Sequence, residues 1–294
     1  MRQFFNTISL GFFLAIRQVT RTSKWTTGLI VFIMMLTFLN LVATSGFLVG
    51  IVEGASRAFK EQWTGDLFIT NRNENNYIEH SPDILNALSS FPQIKSYTSR
   101  TVAGAKIEDN WQEKRTEEDA NVVSNQIAGI DPIKENETTF LSKEVVEGEW
   151  LSSGDSRGIV IGSGYLQKYS RVADLVSLLR DIKPGSIVRV TVTSKVAAVN
   201  PEQELGQTED LTTSNSVTQD FIVRGIIDSK VQFVASRAYI LDSELKKMIG
   251  KVDGDVSEIA ITMKEGIDPY YVKTPLLANG FGKYAQINTA EEGS

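Results

Sequence analysis

The 294-residue sequence has no cysteine, which excludes disulfide staples, thiolate nucleophiles and zinc–thiolate sites, though it does not identify a compartment. It has one histidine, His80, next to Ser81 and Asp83. A Ser–His–Asp triad needs its groups placed in space rather than side by side in sequence. The run Ser81-Pro82-Asp83 reads instead as a helix start, with Ser81 as N-cap and Pro82 at the first helical position. Gly162-Ser-Gly164 is not followed by the G-K-[ST] of a Walker loop, and reads as a tight strand-to-helix turn. Asp253-Gly-Asp255 lacks the spacing of a calcium loop and reads as a hairpin turn. Asn136-Glu-Thr138 matches a glycosylation sequon by coincidence. Carboxylates are abundant, but none pair in an apolar setting that would raise a pKa. No catalytic, cofactor-binding or metal-binding residue is assigned and no cofactor is expected, so the chain reads as a non-catalytic protein.

Charge is missing altogether from Leu29 to Ile51, a run of 23 residues. As a helix it would be about 34 Å long, against about 30 Å for a bilayer's hydrocarbon core. It is longer than a signal-peptide core and starts too far from the terminus for one. Acid is absent from residues 1–27, which carry Arg2, Arg17, Arg21 and Lys24 for a local charge of +4. The remaining residues sum to −10. Basic residues beside a span stay on the cytoplasmic side. The N-terminus is therefore expected to be cytoplasmic and residues 53–294 extracytoplasmic, at the cell (inner/cytoplasmic) membrane. The acidic outer part argues against a nucleic-acid or anionic-lipid partner there.

Before the span, Phe4, Phe5, Ile8, Phe12, Ala15, Ile16 and Val19 recur at helical spacing, as in a helix lying in the membrane interface. Inside it, Thr37, Asn40, Thr44, Ser45 and Gly46 suit contacts with neighbouring helices. Residues 53–63 are expected to continue the helix as a stalk. A strand at Asp66–Thr70, the helix from Ser81 and an extended segment over 94–108 form a β–α–β unit. Residues 112–124 read as a hairpin loop, 126–130 as a strand, Asp131-Pro132 as a turn and 158–161 as a strand. Tyr165, Tyr169, Val172, Val176 and Leu179 predict one helix. Lys183-Pro-Gly185 turns into a strand with Val188, Val190 and Val192 on one face, and residues 194–220 read as a long polar loop ending at the strand 221–227. A short helix capped by Asp242 or Ser243 and stopped by Gly250, a strand over 256–263, a helix opened by Asp268-Pro269 and a strand over 283–288 complete the chain.

The expected class is α+β: one N-terminal transmembrane helix, then an extracytoplasmic domain of β–α–β flanks with a β-rich insertion. The boundaries read are 1–27 for the cytoplasmic amphipathic segment, 28–52 for the transmembrane helix and 53–65 for the stalk. An α/β subdomain takes 66–124 and 221–290, and the inserted subdomain 125–220.

Several stretches, in this order relative to the span, resemble the N-terminal half of ABC-transporter permeases of the MacB-like/FtsX-like family, relatives of which include LolC and LolE. They are Asp66-Leu-Phe-Ile, Phe91-Pro-Gln-Ile94, Ala128-Gly-Ile-Asp-Pro132, Val146-Glu-Gly-Glu-Trp-Leu151, Gly158-Ile-Val-Ile-Gly162, Pro184-Gly-Ser186 and Phe221-Ile-Val-Arg-Gly-Ile226. The chain departs from the family at Gly185-Ser186, where Gly-Asp is usual. The resemblance implies a porter-like periplasmic core domain and three further transmembrane helices beyond the sequence given. It also implies a cytoplasmic ABC ATPase, a second permease subunit, the lipid bilayer and an extracytoplasmic protein or lipoprotein as partners. Function would be mechanotransmission: ATP hydrolysis by the separate ATPase moves the membrane helices, and the outer domain releases a lipoprotein, exports a peptide or drug, or regulates a partner. The alternative is a single-span, membrane-anchored extracytoplasmic binding or sensor protein. The coding sequence separates the two. Three more hydrophobic segments in frame, beside a gene with Walker and ABC signature motifs, are expected for the permease; a stop codon after Ser294 with no ATPase gene nearby would overturn it.

Overall fold

The computed structural model describes residues 11, 13–14, 16–18, 24–72, 76–109, 111–112, 121–169, 178–197, 212–250, 254–290 and 292, with backbone alone at 194–197 and 212–215. It divides into two compact units, residues 1–54 and 55–294. In the first, the described residues before Lys24 are helical; most of the expected amphipathic segment lies outside the described residues. Helix α1 runs Lys24–Phe59, 36 residues, about 54 Å. It is the one helix among the described residues long and apolar enough to cross a membrane. Three of its hydroxyls are satisfied within the helix: Thr37 Oγ1 donates to Ile33 O (2.8 Å), Ser45 Oγ to Val42 O (3.0 Å) and Thr44 Oγ1 to Asn40 Oδ1 (3.4 Å). Neighbouring helices are therefore not needed to satisfy them.

The expected stalk over 53–65 ends early. From Lys60 to Thr64 the backbone makes one π-helical turn, and Gln62, Trp63 and Thr64 are buried. Gly65 then reverses the chain at φ +66°; a Cβ there would stand 2.4 Å from Ile261 O, so no other residue fits.

The second unit is α+β. Its elements are β1 Leu67–Asn71, α2 Ser81–Ser89, β2 Ile94–Glu108, β3 Val122–Ile130, α3 Pro132–Thr139, β4 Val145–Gly148, β5 Gly158–Gly162, β6 Ile187–Ala197, β7 Thr212–Ile227, α4 Gln232–Ala235, β8 Arg237–Leu241, α5 Asp242–Met248, β9 Glu258–Met263, α6 Tyr270–Ala278 and β10 Ala285–Thr289. At one end of the sheet the strand order is β10-β1-β9-β2, every neighbour antiparallel. β1 and β2 are thus parallel with β9 between them, and β9 and β10 parallel with β1 between them: two interlocked split β–α–β units, as in a ferredoxin-like sheet. Ile84 and Leu88 of α2 and Val272 and Leu276 of α6 bury against Leu67, Ile69, Ile259, Ile261 and Ile287.

The second half of β2 leaves this sheet. Residues 101–108 pair with β3 and 105–108 with β6, and the pairs β3–β8, β8–β5, β5–β7 and β7–β6 close a six-stranded ring. Strand alternation sends Ile127, Ile159, Ile161, Ala238 and Ile240 into one cluster with Val188, Val190, Val192 and Phe221, and α5 adds Leu245 and Met248. The intervening Ala128, Val160 and Tyr239 belong to a different cluster, the one that holds Trp63.

Several expectations are corrected. Ser81 is not the N-cap: His80 takes that place at φ 56°, and Ser81 Oγ instead donates to Gly254 O and accepts from Val256 N. Asp131-Pro132 begins a helix, α3, with Asp131 Oδ1 accepting from Ile133 N (3.0 Å) and Lys134 N (3.3 Å). The predicted helix over 165–179 is not one helix. Residues 163–165 and 167–169 form 3-10 turns and Leu179 bridges to Leu166, while 170–177 lie outside the described residues. Within the expected 194–220 loop, residues 194–197 and 212–220 are strand, paired as far as Ala197↔Thr212, and 198–211 lie outside the described residues. The buried clusters also divide the unit differently from the expected boundaries. Residues 67–97 join 256–287, and 103–249 gather around the ring, because β2 changes sheets near residue 100 rather than at a loop.

Glu292 is held against α6 and β10: its carboxylate accepts from Lys273 Nζ, from Thr289 N (2.9 Å) and from Tyr270 Oη (2.9 Å). The Lys273 hydrogen bond, then those of Thr289 and Tyr270, lower its pKa from 4.5 to about 2. A carboxylate whose pKa is depressed on folding stabilises the fold above its unfolded pKa, and that contribution disappears as pH falls through the folded one. Protection of the Thr289 amide from hydrogen exchange is expected to hold above about pH 4.5, to fall towards pH 2, and to lose this pH dependence in Glu292→Gln.

Candidate functional site

The site is the foot of α1. Within the π turn, the Trp63 ring lies over two guanidinium groups, with Arg100 Cζ 4.8 Å and Arg237 Cζ 4.2 Å from its centroid. Its other neighbours are Phe68 (5.8 Å, tilted) and Phe233 (6.1 Å, stacked), and Phe59 meets the Phe233 edge at 6.4 Å. Trp63 is 6 % exposed, whereas Phe233 is 58 % exposed. Cations over an indole face are held by its quadrupole, the more strongly where water is excluded.

Two carboxylates complete the cluster. Glu135 of α3, fully buried, accepts from Arg100 Nε (3.0 Å to Oε2) and Nη2 (2.6 Å to Oε1), from Thr98 Oγ1 (3.1 Å) and from Thr139 Oγ1 (2.6 Å). Arg100 Nη2 also donates to Trp63 O (2.9 Å), joining the helix foot to β2 by main chain as well as by ring. Glu258 of β9 accepts from Arg237 Nη1 (3.1 Å) and Nη2 (2.9 Å), and its Oε2 lies 3.6 Å from Arg100 Nη1. Arg237 Nε donates to Gln126 Oε1 (3.0 Å). Burial alone would lower the pKa of Arg100. The charge of Glu135 and its hydrogen bonds, then the charge of Glu258, outweigh that and raise it. Burial likewise raises the neighbouring Tyr239 hydroxyl, which donates to Val234 O (3.3 Å).

The foot is pinned on its other sides too. Ser229 Oγ donates to Gln62 Oε1 (2.6 Å), Lys60 Nζ pairs with Asp66 Oδ1 (2.5 Å), and Asp66 Oδ2 accepts from Met263 N (2.7 Å). The cluster therefore draws on both halves of the unit: β2 and β9 from the split β–α–β sheet, α3 and β8 from around the ring. It can hold the helix end rigidly against two sheets.

None of these five residues stands out in the sequence. Arg100 and Glu135 are 35 residues apart and Gln126 and Arg237 are 111 apart, so no local pattern joins them. The groups that sequence motifs bring forward lie elsewhere. His80 Nδ1 is 3.2 Å from Asp83 Oδ2 on the surface and its ring lies tilted against that of Tyr284 (4.5 Å), while Ser81 is committed to Gly254 and Val256. Gly162 and Gly164 approach the backbone of Ala235, where a Cβ would stand 2.1 Å and 2.9 Å from Ala235 O, and the strand leads into a 3-10 turn. Asn136 and Thr138 lie on α3, with Thr138 buried. Among the described residues no group of three or more His, Cys, Asp or Glu could hold a metal ion.

No family model matches the sequence, and no curated protein matches it. Solved structures do. The chain is similar to the periplasmic region of MacB from Actinobacillus actinomycetemcomitans, at 14 % identity and a TM-score of 0.48, over 79 % of this chain and 92 % of that one. It is also similar to the extracellular domain of the noncanonic ABC-type transporter YknZ from Gram-positive bacteria, at 15 % identity and a TM-score of 0.43, over 76 % of this chain and 98 % of that one.

The buried pair gives a direct test. Glu135→Leu leaves the Arg100 guanidinium buried without its main partner, and should cost about 3–5 kcal/mol of stability. Adding Arg100→Met removes both charges and should recover most of that loss. Urea titrations of the single and double variants check this; losses that simply add would show that the two residues do not act as a unit.

Proposed function

We propose that this chain is the permease subunit of an ATP-driven ABC transporter and works by mechanotransmission. In this reading α1 crosses the cytoplasmic membrane with its basic N-terminal flank inside and residues 53–294 outside. A cytoplasmic ABC ATPase and a second permease subunit complete the assembly. Cycles of ATP binding and hydrolysis move the membrane helices, and the outer part acts on an extracytoplasmic protein, lipoprotein, peptide or drug. That part is read as a porter-like α/β subdomain carrying a β-rich inserted one.

The observation that carries the proposal is mechanical. A helix of membrane-crossing length and composition ends in Trp63, and that residue is clamped by Arg100 and Arg237 and bonded through its carbonyl to Arg100. An anchor alone needs no such fixture. A flexible linker would tether equally well, whereas force can be passed only through an ordered junction. The order of the family-like stretches along the chain and the basic flank before the helix give independent support.

Two experiments test the reading. From source membranes, an ATPase with Walker and ABC signature motifs is expected to co-purify with the full chain and not with residues 53–294. In the reconstituted complex, Trp63→Ala should leave ATP hydrolysis running while substrate release falls by an order of magnitude or more. Loss of neither, or a chain that purifies with no ATPase, would refute it.

A further inference from the structure

Among the described residues two strands end the sheet of the second unit, β10 at one side and β4 at the other, each with one edge left unpaired. The two edges are built differently. β4 pairs with β7 through a register shift between Val145 and Glu147, and its Glu147 carboxylate accepts from Lys168 Nζ (2.6 Å) and Tyr169 Oη (2.7 Å). Bulges and charged side chains are devices that keep an edge from pairing with another chain. β10 has neither. It pairs with β1 in unbroken register from Asn71↔Ala285 to Leu67↔Thr289, and its five residues, Ala285-Gln-Ile-Asn-Thr289, include no charge and no proline.

Backbone direction along β10 follows from its last bonds. Ala290 N donates to Asp66 O on the β1 side (3.1 Å), whereas Thr289 N donates to Glu292 Oε2 (2.9 Å) and Thr289 O accepts from Glu292 N (3.0 Å). Alternation then faces Gln286 and Asn288 towards β1 and turns Ala285 C=O, Ile287 N–H and Ile287 C=O outward, where no strand among the described residues meets them. Glu292 closes the edge at Thr289 alone. A wall runs beside the open part. Tyr270, Lys273 and Leu277 share one stripe of α6 by their spacing. Tyr270 Oη (2.9 Å) and Lys273 Nζ reach Glu292 at one end of β10. Leu277 lies beside Gly282 at the other, where a Cβ on the glycine would stand 2.8 Å from Leu277 Cδ2. Tyr270 is 49 % and Leu277 45 % exposed, while Val272 and Leu276 are buried with Ala285 and Ile287.

We propose that the outer edge of β10 takes up an extended segment of a partner protein as a further strand, one in which apolar and uncharged polar side chains alternate. Segment N–H groups donate to Ala285 O and Ile287 O, and Ile287 N–H donates to a segment carbonyl, with α6 as the wall of the groove. Its apolar side chains fall on the face of Ala285 and Ile287, against Tyr270 and Leu277, and the polar ones fall beside Gln286 and Asn288. From Ala285 to Asn288 the open edge is about 13 Å long, so the main chain grips about three or four ligand residues. Outward donors and acceptors in one row are matched by another strand, not by a helix whose backbone groups are already spent. The proposal does not rest on the transport reading, since a membrane-anchored binding protein could use the same edge.

The test is hydrogen exchange of the Ile287 amide in the full chain in detergent, read residue by residue by fragmentation mass spectrometry. The probe is a blocked hexapeptide of alternating threonine and valine. Without it, Ile287 is expected to exchange fast, while Gln286 and Asn288, bonded to β1, stay protected. With peptide at about ten times its dissociation constant, Ile287 exchange should slow about tenfold. The same peptide with N-methylated backbone amides should leave the rate unchanged, because it has no donors for Ala285 O and Ile287 O. Leu277→Lys, at an exposed position, should keep the thermal midpoint and weaken binding about tenfold. No slowing at millimolar peptide, or equal slowing by the methylated peptide, would overturn the proposal. Protection of Ile287 without peptide that disappears on dilution would give the edge to a second copy of this chain, and would overturn it too. The methylated control leaves the protein untouched, so it decides the matter even if the lysine variant fails to fold.

Discussion

The bidentate contact between Arg100 and Glu135 is the constraint on which the rest of the unit turns. An isolated charge in such surroundings would cost several kcal/mol, so neither residue could be buried without the other. Once paired, they leave a second face of the guanidinium free for the Trp63 ring and carbonyl. The helix foot, α3 and β2 therefore have to be assembled together, and each depends on the other two for the burial of its polar atoms. Ion pairs of this kind contribute little net stability beyond what well-packed apolar side chains would give. What this one does contribute is position: a tryptophan between two cations and two phenylalanines has few other places to sit.

β2 is the second thing the architecture depends on. Over its first half it is the edge strand of the split β–α–β sheet, paired with β9 alone, and over its second half it is a member of the ring. The Arg100–Glu135 pair lies at the crossover, as does Ser257, whose hydroxyl accepts the Val102 amide where the β9 ladder gives out. The polar residues at the junction are therefore of two kinds. Some hold the helix, and others satisfy backbone groups that a diverging sheet would otherwise leave bare.

Most individual elements were legible from local pattern. Ile259, Ile261 and Met263 alternate along one face of a strand, Gly250 and Gly280 sit at helix ends in the left-handed region, and the charge-free run marks α1 at once. Two failures were local. Asp131-Pro132 carries the helix-start signal that Ser81-Pro82 carries, and the side-chain oxygen of Asp131 does the capping, yet the pair is equally common in turns. Tyr165, Tyr169 and Leu179 kept helical spacing, but the two 3-10 turns show that burial of a single tyrosine against the Gln126 carbonyl (2.6 Å) can set that spacing without a continuous helix. The remaining losses were of another kind. Ring closure depends on parallel pairs such as Gln126↔Arg237, and the cluster around Trp63 draws from five separate elements. One-dimensional periodicity holds no information about such encounters, and for that reason neither the ring nor the site could be read ahead of the structure.

The shared strand also limits how the chain can change over generations. Side chains along a strand alternate strictly between faces, so one added or deleted residue within β2 would invert every side chain beyond it. Elsewhere such a slip spoils one sheet. Between Ser99 and Ala105 it would set the ring against the split β–α–β sheet, turning the isoleucine at 107 outward for as long as the arginine at 100 stayed in place. Length variation should therefore accumulate in connections such as 149–157 and leave these few positions untouched. A lineage could then exchange what the outer surface recognises many times over while the join beneath it stayed the same length.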